Sequence, residues 1–189
     1  MPVRPLIEVD TPRLHLGQWC DGDLDLFAEM SADPAVMRYF PHCLTRSQSD
    51  AMARRCRDLI AERGWGFWAV RLRQSGAFIG FVGLHQASAA LPFAPCVEIG
   101  WRLHSRVWRC GYATEAARAA LNIAFDTLGL DQVVAFTAVS NRPSQALMRR
   151  LGMRDTGRNF RHPDLPADHP LAEHVLYAID AKPWRAARR

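Results

Sequence analysis

Residues 97–139 contain the pattern that most constrains the fold, because a strand, a short loop, a helix and a second strand follow one another there. Alternating apolar residues predict a strand from Val97 to Leu103, and apolar residues at helical spacing predict a helix from about Thr114 to Leu128. The almost unbroken apolar run from Gln132 to Val139 is typical of a strand covered on both faces. A helix that links two strands in this way makes them parallel, with a right-handed crossover, so the sequence predicts an α/β chain.

The rest of the chain predicts two helices, an antiparallel hairpin, a short helix and a last strand. Their limits are Asp21 or Asp23 to Pro34, Thr45 to Gly64, Phe67 to Arg73 with Phe78 to Leu84, Asn141 to Gly152, and His174 to Ile179. Capping residues start the helices, and a short turn joins the hairpin strands. With 189 residues, 49% hydrophobic content and no linker-like stretch, we expect residues 1–189 to form a single domain.

Charge and composition exclude several classes of protein. The net charge of +5 comes from arginines spread along the chain without a helix-turn-helix or RNP-like motif, so we do not expect a nucleic-acid partner. No run approaches the roughly 20 apolar residues of a membrane span, and the N-terminus lacks a signal-peptide core. We therefore expect a cytoplasmic protein with no membrane partner. Its oligomeric state, with a homodimer as one option, stays open.

Cysteines and histidines do not form a recognisable metal or disulfide pattern. The five cysteines are scattered without a CxxC pair, which is typical of reduced thiols. His162, His169 and His174 lie among prolines and lack a HExxH pattern. We expect no metal site.

The loop between the first strand and the helix of residues 97–139 predicts an anion site. Its residues are Arg109, Cys110, Gly111, Tyr112, Ala113 and Thr114. Glycine and small residues allow consecutive backbone N–H groups to point at one spot, at the positive end of the helix dipole. We expect these backbone groups, more than the side chains, to bind a phosphate.

Four motifs give the chain a resemblance to a known family. They are Trp108-x-x-Gly111-x-Ala113 followed by Thr114-Glu115-Ala116, Thr11-Pro12-Arg13-Leu14, Glu98-Ile99-Gly100-Trp101, and Asn141-x-x-Ser144 leading to Leu151-Gly152-Met153. In order and spacing, over roughly residues 10 to 180, they resemble the ribosomal-protein-alanine N-acetyltransferase-like branch of the GNAT superfamily. The family loop usually opens with Gln or Arg and often has Gly next, whereas Trp108 and Arg109 stand here.

The resemblance implies an α/β (α+β) fold: a GNAT-like mixed, largely antiparallel central sheet with a splayed parallel strand pair and flanking helices. It also implies that acetyl-CoA is the cosubstrate and that its acetyl group moves to a primary amine by direct transfer in a ternary complex. The acceptor is then a protein N-terminus or a small-molecule amine. The alternative is a non-catalytic acyl-CoA-binding module. The implied cofactor-binding residues are Ile99, Gly100, Trp101, the loop from Arg109 to Thr114, and Asn141.

Glu98 is the candidate base. Strand alternation places Glu98, Gly100 and Arg102 on one face, which can meet a ligand while the other face packs. An amine must lose its proton before it attacks a thioester, and a carboxylate can accept that proton. The resemblance assigns this role to Glu98. In the alternative interpretation Glu98 pairs with Arg102 or another surface arginine, and Gly100 only makes room for a facing aromatic ring.

Ser144 is the candidate acid for the departing thiolate, and Asn141 is the candidate partner of the pantetheine arm; both roles are implied by the resemblance. Helix capping explains the same two residues equally well. Tyr112 is a weaker proton donor whose ring is expected to pack beside the loop. Cys110, next to Arg109 at a helix N-terminus, is a conceivable nucleophile, but no base for it is recognisable in the sequence. We therefore expect direct transfer.

Overall fold

A nine-stranded sheet organises residues 5–187, the part of the chain that the computed structural model describes. In chain order the strands are β1 Val9–Asp10, β2 Leu14–Gly17, β3 Phe67–Leu72, β4 Phe78–Gln86, β5 Val97–Leu103, β6 Gln132–Ala138, β7 Arg154–Asp155, β8 Phe160–Arg161 and β9 Glu173–Asp180. The α-helices are α1 Leu24–Ala32, α2 Arg46–Arg63, α3 Tyr112–Asn122, α4 Arg142–Arg150 and α5 Ala181–Ala186. No helix in this part of the chain is both long and apolar enough to cross a bilayer.

The sheet confirms the predicted topology. Its order is β1-β2-β3-β4-β5-β6-β9-β7, with β8 beside β9. The strand pairs are antiparallel except for β5 with β6, so the sheet is mixed and largely antiparallel. The hairpin of β3 and β4 and the parallel pair linked by α3 are both present, as the sequence predicts.

Helix limits follow the local signals closely. The Thr45 side chain accepts a hydrogen bond from the Gln48 N–H, and Gln48 Oε1 accepts one from the Thr45 N–H. This capping box confirms the expected start of the helix at Thr45. Gly64 ends α2 with a left-handed φ of 84°. α3 begins at Tyr112, two residues earlier than predicted, and its last turn, Ile123–Thr127, is π-helical.

Elements without a sequence signal are short. β1, β7 and β8 have two residues each, and β2 has four. Two residues cannot show a period, so these strands become visible only when their neighbours in the sheet are known. The six-residue α5 was also not predicted.

The two faces of β6 belong to different apolar clusters. Val133 and Ala135 lie in the main core, which also contains the buried alanines of α3. Val134 faces the other side, in a smaller cluster with Leu176 and Ala178. The prediction that β6 is covered on both faces is therefore confirmed. The smaller cluster lies on the same side of the sheet as Glu98, which is the β5 partner of Val134.

The turn before β2 is tied to the start of α3 by the Glu115 carboxylate. Glu115 accepts hydrogen bonds from the Thr11 hydroxyl at 2.6 Å, from the Arg13 backbone N–H at 2.9 Å and from Arg13 Nε at 2.6 Å. Arg13 Nη1 also donates to the Cys110 carbonyl at 3.0 Å, and its guanidinium carbon lies 4.5 Å from the Tyr112 ring centre. Two motifs about a hundred residues apart thus hold the anion loop in place.

We expect Glu115→Gln to lower the free energy of unfolding by about 1–2 kcal/mol at pH 7, because charge-assisted hydrogen bonds are lost. Burial raises the pKa of Glu115, and the hydrogen bonds from Thr11 and Arg13 outweigh it, so the pKa lies below the ordinary 4.5. A carboxylate with a lowered pKa stabilises the fold above the unfolded-state value, and this contribution is lost as the pH falls through the folded-state pKa.

Thermal unfolding of both proteins between pH 7 and pH 3 checks this expectation. The difference in Tm should be largest at pH 7 and should shrink below about pH 4.5. Glu62→Gln is the matched control, since Glu62 is exposed on α2 and its side chain makes no hydrogen bond or ion pair with another described residue. Equal Tm values for the wild type and Glu115→Gln at pH 7 would contradict the role given to the carboxylate.

Candidate functional site

The splay between β5 and β6 creates the candidate site. The two strands pair only at Glu98 and Val134, so within the described chain the rest of β5 has no strand partner on that side. Because the strands are parallel, their carboxyl ends lie at one edge of the sheet, and α3 and α4 start from that edge. The structure therefore brings the loop before α3 and the start of α4 to the two sides of one gap.

The loop before α3 presents unused backbone donors. Arg109 has a φ of 62° and Gly111 a φ of 82°, both in the left-handed region. None of the backbone N–H groups from Arg109 to Thr114 donates to a protein group between residues 5 and 187. Left-handed residues turn successive N–H groups towards one side, and such a concavity at a helix N-terminus binds anions.

Arg109 stands where the family loop often has glycine. The position that is often glycine in the family needs a left-handed backbone here, and Arg109 adopts it although it is not glycine. Arg109 thus has the backbone conformation that favours glycine. Tyr112 packs beside the loop under Arg13, as expected.

Glu98 is partly buried and has no charged partner. It forms no ion pair and no side-chain hydrogen bond with any residue the structure describes. Burial alone raises the pKa of Glu98 to about 7. The predicted alternative, a pair with Arg102 at the surface, is wrong: Arg102 is only 7% exposed, and its guanidinium lies over the Phe40 ring at 4.2 Å.

Gly100 faces an aromatic ring. A Cβ at this position would lie 3.0 Å from a carbon of the Phe67 ring, which confirms the interpretation that Gly100 makes room for a neighbour. Ile99 is buried in the core and Trp101 packs against it, so their side chains point away from a ligand. What these three residues can offer a ligand is the backbone edge that β6 leaves free.

Asn141 caps α4. Its Oδ1 accepts from the Ser144 N–H at 3.2 Å, and its Nδ2 donates to the Thr137 hydroxyl at 2.8 Å. The capping interpretation is therefore confirmed, and both polar atoms of the Asn141 side chain are used inside the protein. The Ser144 hydroxyl makes no hydrogen bond to the described residues and stays available as a donor.

Cys110 is exposed, and its Sγ contacts the Trp108 carbonyl at 3.5 Å. No described side chain acts as a base beside it. Among residues 5–187 no three potential metal ligands come together. His162 and His174 instead lie 5.0 Å apart, ring centre to ring centre, among the aromatic side chains of Phe93, Phe136 and Phe160.

A cavity of about 180 Å³ opens between α2 and the hairpin of β3 and β4. His85, which lines it, is the β4 partner of Glu98, and Phe67, which also lines it, is the residue that faces Gly100. The cavity thus lies beside the strand partner of the candidate base, while Glu98 itself is not among the lining residues. Sequence patterns do not indicate this cavity, because α2 is distant from β5 in the chain.

Comparison with known proteins identifies the family. A family model described as "Acetyltransferase (GNAT) domain" matches residues 13–154, more than half of the chain. The uncharacterized N-acetyltransferase YnaD of Bacillus subtilis (strain 168) is 27% identical over 179 residues, which cover 94% of this chain and 99% of the relative.

Solved structures share the fold. A GNAT-family acetyltransferase from Bacillus anthracis has a TM-score of 0.78 at 24% identity, with 93% of this chain and 99% of that chain covered. A ribosomal-protein-S5-alanine acetyltransferase from Vibrio fischeri has a TM-score of 0.73 at 15% identity, with 94% and 98% covered. The chain belongs to the GNAT family of acetyltransferases, acyltransferases that use acetyl-CoA as cosubstrate.

Proposed function

We propose that this protein is an N-acetyltransferase that moves the acetyl group of acetyl-CoA to a primary amine by direct transfer. One observation carries the proposal: Glu98, a carboxylate with a pKa of about 7, lies on the strand that leads to the free N–H groups of the anion loop. The name of YnaD supports N-acetyl transfer. The S5-alanine acetyltransferase with the same fold is consistent with a protein N-terminus as one class of acceptor, beside small-molecule amines.

The residues from Arg109 to Thr114 fit the pyrophosphate of acetyl-CoA. Their free N–H groups and the α3 dipole supply positive partial charge where the diphosphate needs it. Between this loop and Glu98, the unpaired edge of β5 at Ile99, Gly100 and Trp101 offers backbone groups to the pantetheine arm and to the acetyl oxygen. When bound, acetyl-CoA supplies a thioester that an amine can attack.

The pKa of Glu98 suits an α-amino group. The α-amino group of a peptide has a pKa of about 7.7–8.0, so its proton moves to a carboxylate of pKa about 7 at a cost of roughly 1 kcal/mol. An ordinary carboxylate of pKa 4.5 would make the same step cost roughly 4–5 kcal/mol. A lysine, at about 10.4, would be a poor match even for Glu98. We therefore place Glu98 as the general base.

Ser144 is proposed as the group that protonates the departing thiolate. Its hydroxyl is free, and it lies in the first turn of α4, where the helix dipole stabilises negative charge. Both polar atoms of the Asn141 side chain are used inside the protein, where they hold the first turn of α4. Its proposed contact with the cofactor is therefore made by its backbone.

Gly111→Val should weaken binding of CoA at least tenfold, about 1.4 kcal/mol, because valine rarely adopts the left-handed φ that directs the loop amides. Isothermal titration calorimetry with CoA measures the change. Gly129→Val is the matched control, since Gly129 has a φ of 67° at the other end of the same helix and open space around it. Equal CoA affinities for the two variants would contradict the loop assignment.

Glu98→Gln should lower kcat about 10²–10⁴-fold and leave the affinity for acetyl-CoA near the wild-type value. In the wild type only the carboxylate accepts a proton, so kcat should rise with pH through about 7 and then level off. Measured CoA release from pH 5.5 to 9 checks both points. Near-normal turnover of Glu98→Gln across this range would remove Glu98 from the mechanism, while release independent of any amine would favour a CoA-binding module.

Stability gives a second readout for the same substitution. Because the folded-state pKa of Glu98 is raised, the folded chain holds a proton that the unfolded chain has lost between about pH 4.5 and pH 7. Wild-type stability therefore falls as the pH rises through this range, by about 3 kcal/mol at most. Glu98→Gln should gain Tm relative to the wild type from pH 5 to pH 8, and a constant difference would show that Glu98 is solvated.

Ser144→Ala should reduce kcat more than acetyl-CoA affinity, whereas Cys110→Ala should keep most activity because the loop works through its backbone. Intact-protein mass spectrometry after mixing with acetyl-CoA alone should show no acetyl adduct. A stoichiometric adduct on Cys110 that is then transferred to an amine would overturn direct transfer and make the cysteine the nucleophile.

A further inference from the structure

Arg102 is a buried cation without a counter-anion. Its side chain lies between the rings of Phe40 and Phe81, at 4.2 Å and 5.4 Å from their centres, and its Nε is buried without a hydrogen-bond partner among the described residues. Burial lowers the pKa of Arg102 to about 10. The Cys56 thiol nearby cannot neutralise it, because burial raises the pKa of that thiol to about 11. An unpaired buried charge destabilises a fold unless something binds it, so this cation needs an explanation.

Arg102 reaches the wall of the cavity beside Glu98. Its Nη1 lies 3.9 Å from Met52 Sδ, and both Met52 and Cys56 line the cavity. Two arginines that line the cavity, Arg55 and Arg63, form no ion pair and no side-chain hydrogen bond with residues 5–187. None of the residues that line the cavity carries a carboxylate.

Two other arginines of α2 are paired with acidic residues. Arg46 pairs with Asp50 at 2.9 Å, and Arg57 pairs with Asp21 at 2.9 Å. Arg54 also has no ion pair with a described residue, but it is exposed and does not line the cavity. The unpaired arginines that line the cavity are Arg55 and Arg63.

His85 adds no charge of its own at neutral pH. Its ring stacks on Phe67 at 5.3 Å, and burial first, then Arg63 and Arg55, lower its pKa. The neutral imidazole is a neighbour of both groups, because Arg63 and Arg55 act on its pKa and Glu98 is its strand partner. A ligand in the cavity would contact Arg55, Arg63 and His85, and His85 is next to the candidate base in the sheet.

We propose that the cavity is the acceptor subsite and that the acceptor is a small amine carrying a carboxylate, an amino-acid-like molecule. Arg102, Arg55 and Arg63 would bind the carboxylate, and the amine would face Glu98. The volume of about 180 Å³ is below the range of about 300–1,000 Å³ found for drug-sized ligands, and Met52, Leu59 and Trp65 supply apolar walls for a small side group. A polyamine would meet three like charges. This inference rests on the proposed N-acetyltransferase function.

The wild-type enzyme provides the first test. CoA release is measured with acetyl-CoA and L-leucine, L-methionine or L-phenylalanine, each compared with its carboxamide, and with spermidine. We expect kcat/KM to be at least tenfold higher for the acids, chiefly through KM, although the carboxamides have the less basic amines. Equal or better use of the carboxamides or spermidine would overturn this inference and leave the proposed function standing.

A second set of acceptors, made of peptides, distinguishes two sources of the carboxylate. Peptides that begin with Asp or Glu carry a side-chain carboxylate next to a terminal amine, whereas free amino acids carry the α-carboxylate. We expect the free amino acids to be preferred. A preference for the acidic peptides would overturn the assignment to a small molecule. Bound acetyl-CoA without CoA release for any amine would instead refute the proposed function itself.

Arginine variants test which side chains bind the carboxylate of the acceptor. In Arg102→Met and in the double variant Arg55→Ala with Arg63→Ala, the acid-to-carboxamide ratio of kcat/KM should fall at least tenfold, and Arg102→Lys should restore part of it. A purely structural effect would lower both substrates equally. Arg54→Ala is the matched control, because Arg54 is exposed on the same helix and does not line the cavity. An unchanged ratio in both arginine variants would contradict the proposal.

Discussion

The single pairing point between Glu98 of β5 and Val134 of β6 is the contact on which the site depends. β4 holds β5 along its whole length, whereas β6 leaves after one residue. A longer parallel ladder would use up the backbone edge of β5 and close the gap between the two helix N-termini. Because the ladder stops, a stretch of sheet becomes a surface that can bind a ligand, and the anion loop faces it.

Burial shifts the pKa values of two ionisable residues on one face of β5. Glu98 and Arg102 lie four residues apart on the same face, and neither has an oppositely charged partner in the described chain. Desolvation therefore moves both pKa values towards neutrality, to about 7 and about 10. Such groups weaken the fold, and proteins retain them mainly where a reaction or a ligand uses them.

Local signals were enough to predict most of the fold and the position of the loop. The capping box at Thr45 and the αL glycine at Gly64 depend on neighbours within a few residues, so the sequence shows them. The environment of Arg102 could not be predicted, because alternation tells which face a residue takes but not what covers it. The Glu115 network joins segments about a hundred residues apart, and the motifs alone do not say that they touch.

The same Glu115 network has a consequence for the energetics of cofactor binding. Arg13 holds the Cys110 carbonyl and covers Tyr112, so the loop has its shape before any ligand arrives. A preorganised loop loses little conformational entropy on association, and more of the contact energy then appears as affinity. Removal of the segment before β2 should therefore act on the entropy of CoA binding, although no atom of that segment needs to touch the cofactor.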